Sequence, residues 1–100
     1  MNLDIETEHV IMQPEWHRMI DTWVARLSRE HPEVAYVDVS LRHGDDGPQP
    51  REEVDVLAIA GDHDLRVARR AETMTTALLD ALNALERELA VGKAARGPPQ

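Results

Sequence analysis

The sequence predicts an α+β domain in which a four-stranded sheet carries two helices packed on one of its faces. Two segments have apolar residues at helical spacing, and four shorter segments alternate apolar and polar residues as strands do. Their order is β-α-β-β-β-α, and 100 residues are enough for one small domain with a single core. Packing both helices on one sheet face buries both apolar stripes and leaves the other sheet face in solvent.

The first strand and the first helix occupy the N-terminal third of the chain. Residues 2–8 alternate, which predicts a half-buried strand with one acidic face. Pro14 suits the first position of a helix. We expect this helix to end near His31, because Pro32 disfavours helical geometry in the residue before it. Six apolar residues form one stripe along this helix: Trp16, Met19, Ile20, Trp23, Val24 and Leu27.

Three further strands follow in the middle of the chain. Alternation predicts them over residues 34–42, 52–60 and 65–71. Between the first two, "HGDDGPQP" (43–50) is a turn and loop cluster, and it is the one stretch that we expect to be mobile. The last two are joined by "GDHD", a connection of hairpin type whose glycine can take a positive φ.

The second helix closes the fold. Thr73 is a suitable N-cap, and Gly92 is placed to end the helix. The predicted domain therefore spans residues 1–91, followed by a flexible polar tail over 92–100. The apolar stripe of this helix has seven members: Met74, Ala77, Leu78, Ala81, Leu82, Leu85 and Leu89.

Composition and charge exclude several classes of protein. The chain has no cysteine, so it has neither disulfides nor thiol chemistry. No apolar run approaches the ~20 residues that a membrane helix needs, and the N-terminus does not resemble a signal peptide. These features fit a cytoplasmic protein. The formal charge of −8 argues against nonspecific nucleic-acid binding, because phosphates are repelled at long range.

The residues that carry chemistry in other proteins are scattered here. Ser28 and Ser40 lie in no nucleophile motif, and the sequence has no glycine-rich phosphate loop. Asp62, His63 and Asp64 are the densest set of metal-ligand types, but a hairpin turn favours such residues for backbone reasons. Metal-dependent chemistry there is the least favoured hypothesis. The sequence therefore predicts no enzyme, no metal site and no cofactor. The five histidines lie on different elements: His9, His17, His31, His43 and His63.

Arginines form the remaining constellation, and arginine suits bidentate contacts with phosphate. Arg18, Arg26 and Arg29 lie roughly along one line of the first helix. Arg66 and Arg70 share one face of the fourth strand. The alternative is that these arginines are solubilising charges that pair with nearby carboxylates.

The closing segment resembles a known family. "GDHDLRVARRAETMTTALLDALNALEREL", in the order β-α-β-β-β-α, is similar to the ribosome hibernation-promoting factor family, which includes RaiA-type (YfiA-like) ribosome-associated inhibitors. The most specific features are Glu72-Thr73-Met74 before the second helix and "LERE" within it. On the first helix, "ARLSRE" matches a pattern of the family. The resemblance covers about residues 1–91 and implies a short, single-domain form.

The resemblance implies a function and a set of residues. Members bind the small ribosomal subunit under stress, lie where tRNA and messenger RNA would pass, and silence translation without an enzymatic step or a cofactor. They contact ribosomal RNA through basic residues on the two helices. Carried over by position, Arg26, Arg29, Arg70 and Arg87 become candidates for rRNA binding. Arg18 joins them because it lies on the same line of the first helix.

A second hypothesis keeps the fold and changes the function. The acidic charge favours a divergent protein–protein interaction module that has lost strong RNA binding. Leu57 and Ile59 share a strand face with Asp55, and if they point outward they form a small apolar patch that suits a homodimer. Arginines locked to carboxylates would favour this hypothesis, and a contiguous positive patch would favour ribosome binding.

Overall fold

The computed structural model describes residues 1–44 and 51–95, with side chains described as far as Gly92. Within these ranges the chain forms four strands and two helices in the predicted order, so the predicted α+β fold class is confirmed. The elements are β1 (Asn2–Glu8), α1 (Pro14–Glu30), β2 (Val34–Gly44), β3 (Arg51–Ala60), β4 (His63–Ala71) and α2 (Met74–Ala95).

The strands form one mixed sheet in the order β1-β2-β3-β4. β1 pairs parallel with β2, starting with Asn2 opposite Tyr36, and the other two pairs are antiparallel. A parallel pair needs a crossover connection, which α1 supplies. A two-residue hairpin joins β3 to β4, and its Gly61 has a φ of 63°, a left-handed value that glycine adopts without a steric penalty.

Both helices pack on the same face of the sheet. Ile20, Trp23 and Leu27 of α1 are buried against it, and the predicted stripe of α2 is buried along its whole length. Each of these large apolar side chains contributes about 1.5–3 kcal/mol to the free energy of folding. The sheet residues that meet the helices are Val37, Val39, Leu41, Val54, Val56 and Ala58, each at most 1% exposed.

The two helices run parallel, side by side. Near their N-termini the Trp16 indole donates a hydrogen bond to Thr75 Oγ1 at 3.3 Å. Further along, Arg26 of α1 makes an ion pair with Glu86 of α2. We call this pair of helices the helix layer. The opposite side of the sheet, whose side chains alternate with the core residues, is the open sheet face.

Local signals explain where the helices begin. Pro14 occupies the first turn of α1 as predicted. The hydroxyl of Thr73 accepts a hydrogen bond from the backbone N–H of Thr76 at 3.2 Å, which confirms the predicted N-cap of α2. At the other end of α1 the His31 N–H donates to the carbonyl of Leu27 at 2.7 Å, and Pro32 follows.

Gly92 was expected to end α2, and this expectation is wrong, because the helix continues to Ala95. A glycine inside a helix costs only about 1 kcal/mol relative to alanine, and Lys93 and Ala94 are good helix formers. Part of the predicted tail is therefore helical. Residues 96–100 of the tail and residues 45–50 of the predicted mobile loop lie outside the described residues.

Candidate nucleic-acid interface

Four of the five arginines predicted to bind rRNA lie on the helix layer. Arg18, Arg26 and Arg29 belong to α1, and Arg87 belongs to α2. Arg18 and Arg26 line the same groove between the helices, and Arg29 lies in the last turn of α1. Of the predicted line of arginines on α1, Arg18 and Arg26 thus lie beside α2.

Arg26 is already engaged by a carboxylate. Its Nη2 donates to Glu86 Oε1, and the two side chains are 43% and 24% exposed. This hydrogen bond, followed by the negative charge of Glu86, raises the pKa of the Arg26 guanidinium above its ordinary value. A phosphate that approaches Arg26 must therefore compete with Glu86.

The other three arginines of the helix layer are free cations. Arg18, Arg29 and Arg87 are exposed, and they form no ion pair with any residue that the structure describes. A guanidinium in water keeps all five N–H donors available for a phosphate. These three residues give an otherwise acidic domain its uncompensated positive charges on the helix layer.

Arg70 lies on the other side of the sheet. It pairs with Glu53 of β3 in the antiparallel register. Val67, three positions earlier on β4, points to the opposite face of the sheet and is buried under the helices. Its Nη2 lies 2.7 Å from Glu53 Oε1, while Arg42 of β2 donates to the other oxygen of the same carboxylate. These hydrogen bonds and charges, with Arg42 first, lower the pKa of Glu53. The fold separates Arg70 from the four arginines of the helix layer.

The groove between the two helices, which we call the interhelical groove, has a volume of about 360 Å³. It holds two guanidiniums, one carboxylate and an apolar floor. Two of its residues have buried donors without a hydrogen-bond partner among the described atoms: Trp23 Nε1 and Arg26 Nε. The residues that line it are Glu15, Arg18, Met19, Thr22, Trp23, Arg26, Leu79, Leu82 and Asn83.

The open sheet face is acidic along β1 and β2. Tyr36 donates to Asp4 at 2.6 Å, and this hydrogen bond, reinforced by burial and nearby carboxylates, raises the pKa of Tyr36 to about 12. Burial, and then the charges of Glu6 and Asp4, raise the pKa of Asp38. Because like charges crowd here, the carboxylates of β1 and β2 repel a phosphate backbone.

Leu57 and Ile59 lie on the open sheet face beside Asp55, and each is half-buried. The outward orientation that the interaction hypothesis requires is therefore present. The apolar patch is small. Leu57 faces Asp38 and Arg66, and Ile59 faces Asp64 on one side and Tyr36 on the other.

The histidines make local contacts on separate elements. His17 lies 2.9 Å from Asp21 one helical turn away, and His43 lies 2.5 Å from Glu52 across the β2–β3 pair. Asp62 and His63 lie exposed at the β3–β4 hairpin. Over residues 1–44 and 51–92, no group of three or more histidines and carboxylates is placed to hold a metal ion. No helix in the described part of the chain is both long and apolar enough to cross a membrane.

Sequence reasoning missed the interhelical groove, and its alternative of arginines paired with carboxylates left open which arginine meets which carboxylate. Trp23 belongs to the apolar stripe of α1, and the stripe alone does not tell that its ring is 3% exposed or that it borders a cavity. The Arg26–Glu86 pair joins residues 60 positions apart, so helical spacing cannot reveal it. The one signal in the sequence for this site was that α1 carries three arginines outside its apolar stripe.

Fold and site together define an α+β domain whose helix layer carries three free arginines. This architecture has solved relatives. The chain is similar to a ribosomal subunit interface protein from Coxiella burnetii, with a TM-score of 0.81 and 14% sequence identity over 94% of this chain and 99% of that one. It is also similar to the N-terminal domain of Protein Y from Thermus thermophilus, with a TM-score of 0.73 and 16% identity over 88% of this chain and 94% of that one.

Sequence comparison adds nothing to this likeness. No protein-family model matches the sequence, and no curated protein sequence matches it significantly. The structural matches cover nearly the whole chain, so the fold implied by the resemblance to hibernation factors is confirmed. At this level of identity the likeness shows a shared fold.

Proposed function

We propose that this chain is a cytoplasmic, ribosome-associated protein that binds the small ribosomal subunit through its helix layer and silences translation under stress. The observation that carries the proposal is the position of three unpaired arginines on the helix layer of a fold shared with a ribosomal subunit interface protein. The protein acts by occupying a site on the ribosome, so the proposal includes no catalytic step and no cofactor.

The charges on the two sides of the domain set the orientation. Arg18, Arg29 and Arg87 offer guanidinium forks to phosphates from the helix layer, whereas Asp38 and its neighbours repel phosphates from the open sheet face. The helix layer therefore faces the RNA. Because the whole chain carries a charge of −8, few favourable contacts oppose a general repulsion, and we expect weak binding that is lost as salt rises.

Co-sedimentation with purified small subunits tests this proposal. We expect the wild type to sediment with the subunits at about 50 mM salt and to remain in the supernatant at about 200 mM salt. The double variant Arg26→Glu and Arg29→Glu is expected to stay in the supernatant at both. The matched control, Arg66→Glu and Arg69→Glu on β4, makes the same change in charge and should sediment like the wild type. A wild type that never sediments contradicts the proposal.

A second candidate function is supported by the paired arginines and the open sheet face. Arg26 and Arg70 are both bound to carboxylates, and Leu57 and Ile59 point away from the helices. These features suit a protein–protein interaction module that self-associates through the sheet. Light scattering at high protein concentration distinguishes the two: a dimer that Leu57→Lys returns to a monomer supports the module, and a monomer at every concentration contradicts it.

A further inference from the structure

We infer that the interhelical groove binds one unpaired nucleotide of an RNA, with the donors of Trp23 and Arg26 turned to acceptors on that nucleotide. The inference deepens the proposed function and rests on it for the identity of the partner as RNA. It assigns a specific binding site to the groove between α1 and α2, beyond the general attraction between arginines and phosphates.

The first argument is the size and shape of the groove. Its volume of about 360 Å³ lies within the ~300–1,000 Å³ range of sites for small organic groups. Met19, Leu79 and Leu82 supply an apolar floor, and Leu79 is 47% exposed. A flat, apolar surface of this extent is too narrow for a duplex but accommodates one base that has left its stack.

The second argument is the set of unsatisfied donors. Trp23 is 3% exposed, yet its indole N–H has no hydrogen-bond partner in the described structure, and neither has the Nε of Arg26 one turn later. A buried N–H without an acceptor costs roughly 1–3 kcal/mol. Both donors belong to residues that line the groove, so a ligand with several acceptors relieves these penalties once side-chain movement exposes the donors.

The third argument is the chemical balance of the lining. Arg18, Arg26 and Asn83 add further donors, and Glu15 is the single carboxylate. A ligand that fits must be rich in acceptors, bear an anionic group for Arg18, and present a planar apolar face to Leu79. A nucleotide combines base-edge acceptors, a phosphate and an aromatic face, whereas an acidic peptide has acceptors and charge but lacks the face.

Access to the groove involves the Arg26–Glu86 pair. Both orphan N–H groups are screened from solvent in the free protein, so a ligand reaches them only when side chains that line the groove shift. Arg26 is one of these side chains, and Glu86 holds it from α2. A bound nucleotide therefore takes the place of the Glu86 carboxylate as the partner of Arg26, through a phosphate or a base acceptor. The Arg26–Glu86 pair opposes binding, because it must break first.

Titration with a short RNA tests the inference directly. The protein carries Trp16→Phe, which leaves Trp23 as the single tryptophan, and hexauridylate and hexaadenylate are the probes at about 50 mM salt. We expect each to change the emission of Trp23 on binding. Leu79→Glu places a carboxylate on the exposed floor of the groove and should weaken binding about tenfold. Ile11→Glu makes the same change in charge at another exposed apolar residue outside the groove and should bind as the parent does.

A second variant separates the hydrogen bond from the shape of the groove. Trp23→Phe, made in the protein that already carries Trp16→Phe, removes the orphan donor. RNA binding is then followed by the fluorescence anisotropy of a labelled oligonucleotide. We expect about fivefold weaker binding. The free energy of unfolding is measured in parallel, because the smaller ring leaves a cavity in the core, and binding is compared under conditions where both proteins are folded.

Three results overturn the inference: no binding of either oligonucleotide, equal binding by Leu79→Glu and Ile11→Glu, or tighter binding of hexaglutamate than of RNA. The last result assigns the groove to an acidic peptide. The ribosome assay above is independent of these. If Leu79→Glu still sediments with small subunits while the oligonucleotide test fails, the groove inference is wrong and the proposed function stands. If the oligonucleotides bind in the groove but the protein does not sediment with small subunits, the groove inference stands and the proposed function is wrong.

Discussion

Removing the three free arginines of the helix layer should flatten the salt dependence of ribosome binding. The variant carries Arg18→Gln, Arg29→Gln and Arg87→Gln. None of these side chains forms an ion pair in the described structure, so each should neutralise one phosphate at no internal cost. Each phosphate contact adds roughly 0.7–0.9 to the slope of log affinity against log salt. Three contacts therefore account for a slope of about 2–3, or about a 20–40-fold change in affinity between about 50 and 200 mM salt.

The assay is sedimentation with small ribosomal subunits over that range of salt, with the association constant plotted against salt on logarithmic axes. The matched control replaces the three arginines of β4, Arg66, Arg69 and Arg70, by glutamine. It makes the same change in net charge, but two of its residues lie on the open sheet face. We expect the control to keep the wild-type slope. If the β4 variant loses the slope and the helix-layer variant keeps it, RNA binds the other side of the domain and the reasoning is refuted.

Three further predictions concern stability and the balance of charge. Leu85→Ala, at a site that is 0% exposed, should lower the free energy of unfolding by about 2–5 kcal/mol in urea titrations. Leu79→Ala on the same helix should cost less than about 1 kcal/mol, and equal losses would contradict the packing described. Burial, and then the charges of Glu6 and Asp4, raise the pKa of Asp38, so its ionised form destabilises the fold above that pKa. Asp38→Asn should therefore unfold at higher urea than the wild type at pH 7, and the gain should vanish at a pH below about 3.9, where the carboxyl is neutral in both states; a gain independent of pH argues against this cause. Glu86→Gln should free Arg26 and tighten binding to small subunits, with a slope steeper by roughly 0.7–0.9, while Glu88→Gln serves as the control for charge alone; no difference between the two means that Glu86 does not mask Arg26.

The order and type of all six elements could be predicted because each has a strong local period. α2, for example, repeats apolar residues over its whole buried length, β2 alternates from Tyr36 to Arg42, and β3 alternates from Glu53 to Ala60. The ends of elements depend on partners distant in sequence. β2 continues through His43 and Gly44 because Glu52 and Arg51 of β3 pair with them. At Gly92, a local stop signal of about 1 kcal/mol is outweighed by the helix formers that flank it.

The candidate site could be predicted only in part. Helical spacing and the resemblance placed Arg18, Arg26, Arg29 and Arg87 on helices, and the structure brings these helices together in one layer. Spacing within one element cannot tell which arginine meets a carboxylate from another. Glu86 neutralises Arg26 from the neighbouring helix, and Glu53 holds Arg70 across a strand pair. Both contacts arise from tertiary packing, and they decide which cations remain available.

The interhelical groove has the same origin. Two residues of its apolar floor, Met19 and Leu82, belong to the helical stripes assigned to the core, whereas the third, Leu79, lies outside the predicted stripe and is exposed. Its donors belong to Trp23 and Arg26, which helical spacing does not link. Only the parallel arrangement of α1 and α2 makes them neighbours of Leu79 and Asn83. The ring of Trp23 thus completes the core, while its N–H has no hydrogen-bond partner among the described residues.

The central claim is that the helix layer is the face that meets ribosomal RNA. A cryo-electron microscopy reconstruction of small ribosomal subunits incubated with the protein at low salt tests it most directly. We predict density for one α+β domain on the subunit, with α1 and α2 against RNA and the open sheet face turned away. A domain bound through its sheet, or subunits without additional density under saturating protein, would contradict the account.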